Sequence, residues 1–263
     1  MTLEQISQHL TISRFIHMIN QKIIWQSAHL SDKGNVREYN EDACIVKNDI
    51  PLWVVADGMG GHAAGDVASK MITDALNQLS PSNDLSSLID KIDDTLINVN
   101  RQLRIMGRDQ YNNKTIGSTV VCMTSHNDYI GFLWAGDSRL YRVRDNQIQQ
   151  LTRDHSEVQN LIDQGVLRPE EAESHPSANV ITRAIGASNQ LYLSTGIDSV
   201  NDGDTYILCS DGLYRDIKDH ELLQLALQPY AEDICKDMMQ LALSREAKDN
   251  ITIIIAKCQI NRE

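Results

Sequence analysis

Five aspartates stand in settings that could do chemistry together: Asn40-Glu41-Asp42, Asp57-Gly58-Met59-Gly60-Gly61, Gly136-Asp137-Ser138-Arg139, Ser210-Asp211-Gly212 and Lys248-Asp249-Asn250. Any one of them alone reads as an acid in a turn, where Asp is common. As a set they suggest more. Asp57, Asp137 and Asp211 fall at or just past the C-terminal ends of apolar runs, whereas Asp42 and Asp249 fall just before the start of others. In an antiparallel sheet the end of one strand lies beside the start of its neighbour, so all five carboxylates can meet on one rim. Anions gathered there repel and raise one another's pKa. Divalent cations would cancel the repulsion, and carboxylates with a backbone carbonyl and water suit Mg²⁺ or Mn²⁺ better than zinc.

The stretch LWVVADGMGGHAAG, residues 52–65, is central. Residues 52–56 read as a buried strand that stops at Asp57. Residues 58–65 then hold four glycines and one histidine. Glycine frees the backbone and lets other groups approach closely. A hard-cation site, a phosphate site and a Gly-rich strand-to-helix turn capped by Asp57 all fit this stretch alone.

The elements that must position these acids follow from periodicity. Strands are expected at 22–30, 43–47 and 52–56, the last two paired through a turn at 48–51. Ala68, Met71, Ile72, Ala75, Leu76 and Leu79 mark one face of a helix, and Leu85, Leu88, Ile89, Ile92, Leu96, Val99, Leu103 and Met106 mark a second. The short break between them makes the two antiparallel neighbours. Strands follow at 118–124, 129–135 and 140–144. Residues 156–177 are polar, partly helical and leave the strand pattern. Strands resume at 180–185, 190–195 and 205–209, two helices are expected near 219–227 and 232–244, and a strand at 251–257. This order fits an α+β fold of antiparallel sheets covered by two helical hairpins better than alternating βαβ units. Residues 22–263 are read as one domain and 1–21 as an N-terminal extension. There Leu3, Ile6, Leu10, Ile16 and Ile19 recur at roughly helical spacing, as a helix packed on the body or a docking segment.

The net charge of −12 disfavours nucleic acid as a partner. The five cysteines are scattered and lack CxxC spacing, which points to buried thiols in a reducing compartment. Without a signal-peptide pattern or an apolar run of membrane-span length, the expectation is a cytoplasmic protein that does not engage membranes.

The segments VREYNEDA, VVADGMGGHAAG, GSTVV, WAGDSRLYR, LTRDHS, NVITRAIG, DTYILCSDGL and AKDNIT, in this order, resemble the metal-dependent serine/threonine phosphatases of the PP2C (PPM) family. The resemblance covers about residues 22–258, and DGMGGH with GDSR is similar to the bacterial branch. It implies an antiparallel β-sandwich flanked by two antiparallel helix pairs, and two Mn²⁺ or Mg²⁺ ions at one end. Asp57 would bridge the ions, and Asp211 and Asp249 would complete one site. Asp42 and the Gly58 carbonyl would help hold the other, largely through water, which Glu41 would orient. Asp137, sharing Asp211, would hold a third, weaker ion. Arg37 would grip the phosphate, and residues 156–177 would form a mobile flap. Eukaryotic relatives carry a histidine where Met59 stands, so His62 is the candidate general acid, with an orienting role in the turn as its alternative. His155 is read as structural. The implied function is hydrolysis of phosphoserine and phosphothreonine in proteins by a hydroxide shared between the ions. The implied setting is a monomer opposing a bacterial Ser/Thr kinase. A phosphocysteine route is disfavoured. The competing readings are a pseudophosphatase binding module, disfavoured because no metal aspartate is missing, and a nucleotide or small-molecule phosphatase, disfavoured because no base-pocket signature is seen.

Overall fold

The structure is a computed structural model that describes residues 21–47, 49–60 and 64–262. The expected extension falls on residues 1–20, outside the described residues, and Gln21 already belongs to the first strand.

Two antiparallel sheets pack face to face. One has the strand order β1 (Gln21–Asp32), β11 (Ile251–Arg262), β10 (Thr205–Cys209), β7 (Arg139–Arg144) and β8 (Gln147–Gln150). The other runs β2 (Asp42–Lys47), β3 (Leu52–Met59), β5 (Val120–His126), β6 (Tyr129–Ala135) and β9 (Ser194–Ser199), with β4 (Gly117–Ser118) beside the end of β3. Side chains alternate between faces along a strand. In β3, Trp53 and Val55 therefore point between the sheets, where they meet Tyr206, Leu208 and Ile254. Leu52, Val54 and Ala56 point the other way, to helices. Burial on both faces explains why the strand reads as an unbroken apolar run.

Helices α1 (Ala64–Asn77) and α2 (Leu85–Gln110) cover the outer face of the β3 sheet with Ala68, Ile72, Leu76, Ile92, Leu96 and Leu103. The Asp84 side chain starts α2 by accepting from Ser87 N at 2.8 Å, a helix N-cap. After α3 (Glu157–Asp163) and a 3₁₀ turn at Pro169–Ser174, helices α4 (Asp211–Asp216), α5 (Asp219–Ala226) and α6 (Ala231–Leu243) cover the other sheet. There Leu222, Ile234 and Met238 pack on Tyr141, Ile207 and Ile253. The layers are helix, sheet, sheet, helix, as the antiparallel sandwich flanked by helix pairs requires.

The differences from the sequence reading lie in the irregular half. The strand expected at 180–185 is absent; Ile181 and Ile185 make single bridges to Ser156 and Ser118 instead. The strand expected at 190–195 lies at Ser194–Ser199, an edge strand whose Ile197 faces solvent, so its apolar pattern carried no signal. The polar edge strand β8 and the six-residue α4 were missed. Strand β3 continues beyond Ala56 to Met59 because β4 pairs with it, Gly58 opposite Ser118. Strand β11 runs past Lys257 because β1 pairs along its whole length. Among the described residues no helix is long and apolar enough to cross a membrane, and the five cysteines are unpaired.

Candidate active site

Strand register brings the first two acids together: Asp42 lies opposite Asp57 across the β2–β3 pair. Asp42 is also the tie between the sheets. Its Oδ2 accepts from Ser210 Oγ at 2.8 Å and Thr252 Oγ1 at 2.7 Å, both carried by the other sheet. Ser210 immediately precedes Asp211, the first residue of α4. Asn250, next to Asp249, holds the 33–41 loop: its Nδ2 donates to the carbonyls of Lys33 (3.0 Å) and Tyr39 (2.9 Å), and its Oδ1 accepts from Glu41 N at 2.8 Å. Asp137 sits in the turn between β6 and β7, where its carbonyl accepts from Tyr214 Oη at 3.1 Å. The Asp57 carbonyl accepts from Thr119 N at 2.8 Å. Gly58 cannot carry a side chain here, since a Cβ would lie 2.2 Å from the Gly65 carbonyl oxygen and 2.6 Å from that of Glu41. That close approach seats the start of α1 and residue 41 against the end of β3.

The resulting rim is electrostatically tense. Burial, then the charges of Asp42, Asp211, Asp137 and Asp249, push the Asp57 carboxyl well above its ordinary range. Burial pushes Asp42 up to about 7, against the lowering effect of the Thr252 and Ser210 hydroxyls. Burial and then Asp137 push Asp211 up to about 7. Asp137 is pushed up to about 6, first by burial and then by Asp154. Desolvation and like charge both favour the neutral acid.

One buried oxygen each of Glu41 (Oε1), Asp42 (Oδ1), Asp137 (Oδ1) and Asp211 (Oδ1) has no hydrogen-bond partner. Buried carboxylate oxygens left this way are costly unless something pairs with them. Hard divalent cations fit this all-oxygen donor set. As the side chains stand, no three acidic, imidazole or thiol groups among the described residues are arranged to hold one ion. Two arginines engage the cluster instead, Arg215 on Asp211 Oδ2 at 2.6 Å and Arg37 on Asp249 Oδ2 at 2.8 Å.

A cavity of about 410 Å³ opens beside the rim, between Asp137, Arg215 and Asp249 on one side and Ala172, Glu173 and Asn179 on the other. Its outer wall is the segment around α3 and the 3₁₀ turn. That wall is held by Lys218, whose Nζ lies 2.7 Å from both Glu173 oxygens, and by the Glu157 N–H donating to the Val180 carbonyl at 2.8 Å. Beneath it, Arg139 pairs with Asp154 and lies 3.6 Å over the Tyr214 ring.

Asp42, Asp57, Asp137, Asp211, Asp249, Glu41 and Gly58 therefore share one rim. Arg37 stands at its edge, half exposed and bound to Asp249. His62 lies outside the described residues. The His155 ring stacks on Trp134, with centroids 5.8 Å apart, and its Nδ1 accepts from Gly136 N at 3.1 Å. Burial, then Arg183, lowers its pKa to about 4, which favours the neutral ring. Sequence reasoning missed Ser210, Thr252 and Asn250, which stand in the motifs but show no sign of their partners. It also missed Arg215, whose i,i+4 spacing from Asp211 becomes informative only once α4 is known.

The protein phosphatase 2C family profile matches residues 32–251. The serine/threonine protein phosphatase PstP of Mycobacterium tuberculosis H37Rv is 33% identical over 239 residues, covering 91% of this chain and 46% of PstP. The chain thus spans less than half the length of that relative. Among solved structures, PppA, described as a key regulatory component of T6SS in Pseudomonas aeruginosa, is 38% identical with a TM-score of 0.83, over 91% of this chain and 100% of PppA. The catalytic domain of PstP in complex with two manganese ions is 31% identical with a TM-score of 0.81, over 90% of this chain and 100% of that domain. A profile spanning most of the sequence, on the fold and rim described above, places the chain in the protein phosphatase 2C family, in its bacterial serine/threonine phosphatase branch.

Proposed function

We propose that this chain hydrolyses phosphoserine and phosphothreonine in proteins at the carboxylate rim, with Mn²⁺ or Mg²⁺ as cofactor. The observation that carries the reading is the set of buried, partnerless oxygens on Asp42, Asp137 and Asp211, beside an Asp57 crowded by like charge. The PstP catalytic domain with two manganese ions supports the choice of metal. Asp57, Asp211 and Asp249 would hold one ion, Asp42 and the Gly58 carbonyl the other, and Asp137 with Asp211 a third. Such ions supply a water made nucleophilic at neutral pH and a clamp on the phosphoryl oxygens.

The chain's own residues do the rest. Ser210 and Thr252 fix the Asp42 carboxylate by hydrogen bonds. Asn250 holds Glu41 at the rim, where its carboxylate orients water. Arg37 turns from Asp249 to the phosphate, whose oxygens suit its fork of N–H donors. His62, two positions after Gly60 in the sequence, is the candidate to give the proton that the departing Ser or Thr oxygen needs. The five unpaired cysteines support a reducing, cytoplasmic compartment. The natural counterpart is a Ser/Thr kinase, and the likeness to PppA makes a secretion-associated phosphoprotein the first substrate to try.

The test is phosphate release from a phosphothreonine peptide with Mn²⁺ and with EDTA. Release that depends on Mn²⁺ and falls sharply in Asp57→Asn is expected. Turnover that EDTA leaves intact would remove the metal from the reading.

A further inference from the structure

On a chain of net charge −12, one groove beside the rim is basic. Arg101, Arg104 and Arg108 line it from the C-terminal half of α2, Lys114 lines it from the following loop, and its volume is about 350 Å³. The spacing of three and four residues puts the arginines on one stripe of the helix. Lys114 is brought to that stripe by the fold. The chain reverses through Asn112 and Asn113, both left-handed at φ 53° and 60°. It then packs on Gly107, where any Cβ would lie 2.5 Å from the Lys114 carbonyl oxygen. The far wall, residues 186–187, is fixed by Asn100. This side chain is buried, accepts from Gly186 N at 2.7 Å and donates to the Ser188 carbonyl at 3.1 Å.

Of the four cations lining the groove, only Arg108 has a carboxylate partner among the described residues, Asp109 at 2.6 Å. Arg101 reaches only the Asn98 amide oxygen, at 3.4 Å. Arg104 and Lys114 have no side-chain partner among the described residues. Three cations thus face an open groove without counter-charges.

The groove adjoins the rim. Its Thr115–Ile116 wall touches Gly60, whose Cβ would lie 3.2 Å from the Thr115 carbonyl oxygen. Gly60 follows Asp57 by three residues of largely extended chain, roughly 10 Å.

We propose that this groove binds an acidic stretch of the phosphoprotein substrate that flanks the phosphorylated residue held at the rim. The proposal rests on the phosphatase reading above. Charge complementarity selects the occupant, since an acidic segment is repelled by most of this surface and attracted here. At about 3.3–3.6 Å per extended residue, the acids fall roughly three to six positions from the phosphorylated one.

The test compares three phosphothreonine peptides: one with glutamates three to six positions after the phosphoresidue, one with them before it, and one with glutamines throughout. Wild type is expected to prefer one acidic peptide over the glutamine peptide by about three- to tenfold, through KM, and to lose the preference in high salt. The double variant Arg104→Gln, Lys114→Gln should lose that preference while p-nitrophenyl phosphate turnover, which also reports folding, stays unchanged. Arg104→Glu should shift preference toward a lysine-flanked peptide. Equal hydrolysis of all three peptides by wild type, or a loss in the double variant that is the same for all three, overturns the docking site and leaves the phosphatase reading standing. No phosphate release from any peptide strikes the phosphatase reading and takes the docking site with it.

Discussion

At one end of β7 and β10, Asp204 meets Arg144; at the other, Asp137 and Asp211 meet Asp42 and Asp57. Both ends bury carboxylates, but they satisfy them differently. Asp204 accepts from Arg144 Nε at 2.8 Å and Nη2 at 2.7 Å, from Asn201 N at 2.7 Å and from Tyr206 Oη at 3.0 Å. Neither of its oxygens lacks a partner. At the opposite end Asp42, Asp137 and Asp211 each keep a buried oxygen with none. A buried charge that is fully paired is a structural element. A cluster of under-paired carboxylates stores electrostatic tension, and such tension concentrates where a protein binds or reacts.

The comparison breaks most readily at Asp57. Asp57→Asn is expected to cut phosphatase activity by at least about 10²–10³-fold, the loss that follows removal of a preorganised charge-stabilising group. It should leave the melting temperature of the metal-free protein unchanged or higher, because a crowded charge is gone. Near-normal turnover, or a marked loss of metal-free stability, would make this end as structural as the other. Asp204→Asn should do the reverse. It should cost about 3 kcal/mol, the low end of the range for a broken buried pair because Arg144 is 18% exposed. That lowers the melting temperature by roughly 5–12 °C, while kcat/KM of the folded fraction holds.

The pH dependence of metal-free stability sharpens the contrast. The rim acids have folded pKa values raised toward about 7 (Asp42, Asp211) and about 6 (Asp137). Between the unfolded carboxylate range and pH 7 the folded state therefore binds more protons, so these groups lower stability as pH rises. His155, held down to about 4, acts oppositely, losing stability as pH falls below its unfolded value. The difference between wild type and Asp42→Asn isolates the rim. In urea unfolding with EDTA, the advantage of the variant should grow from about pH 4 to pH 7, by roughly 2–4 kcal/mol, and then level off. A difference independent of pH would show that Asp42 is not held neutral by its surroundings. The smallest effect is expected from Thr252→Val, which removes one of the two hydroxyls on Asp42. Mn²⁺ affinity read by calorimetric titration should fall about tenfold, as for other groups that orient metal ligands. Unchanged affinity would reduce Thr252 to a packing residue.

Much of the fold was legible because its strands and long helices are strongly patterned. Residues 52–56 are apolar throughout because β3 is buried on both faces, and Ile72, Leu76, Ile92 and Leu96 fall at helical spacing because α1 and α2 bury one face each. The segment from 178 to 193 was misread because it is held by single bridges and by Asn100, which impose no periodicity. The short α4 was missed because six residues are too few to show a period, and with it went the Arg215–Asp211 pair.

The acids themselves were found from their place at strand ends. That they can meet follows from local pattern and antiparallel geometry, and both are written along the chain. Their satisfaction is decided elsewhere: Asp42 by Ser210 and Thr252, Glu41 by Asn250, Asp249 by Arg37, partners 168 to 212 residues distant. The basic groove is likewise a product of the folded chain, made where the loop carrying Lys114 packs back on Gly107. Hydrophobic periodicity specifies which face of each element is buried, so sequence alone determined the layers and the rim. Hydrogen-bond and ion-pair partners depend on distances across those layers, so only the tertiary structure decided which carboxylate oxygens are left without a partner.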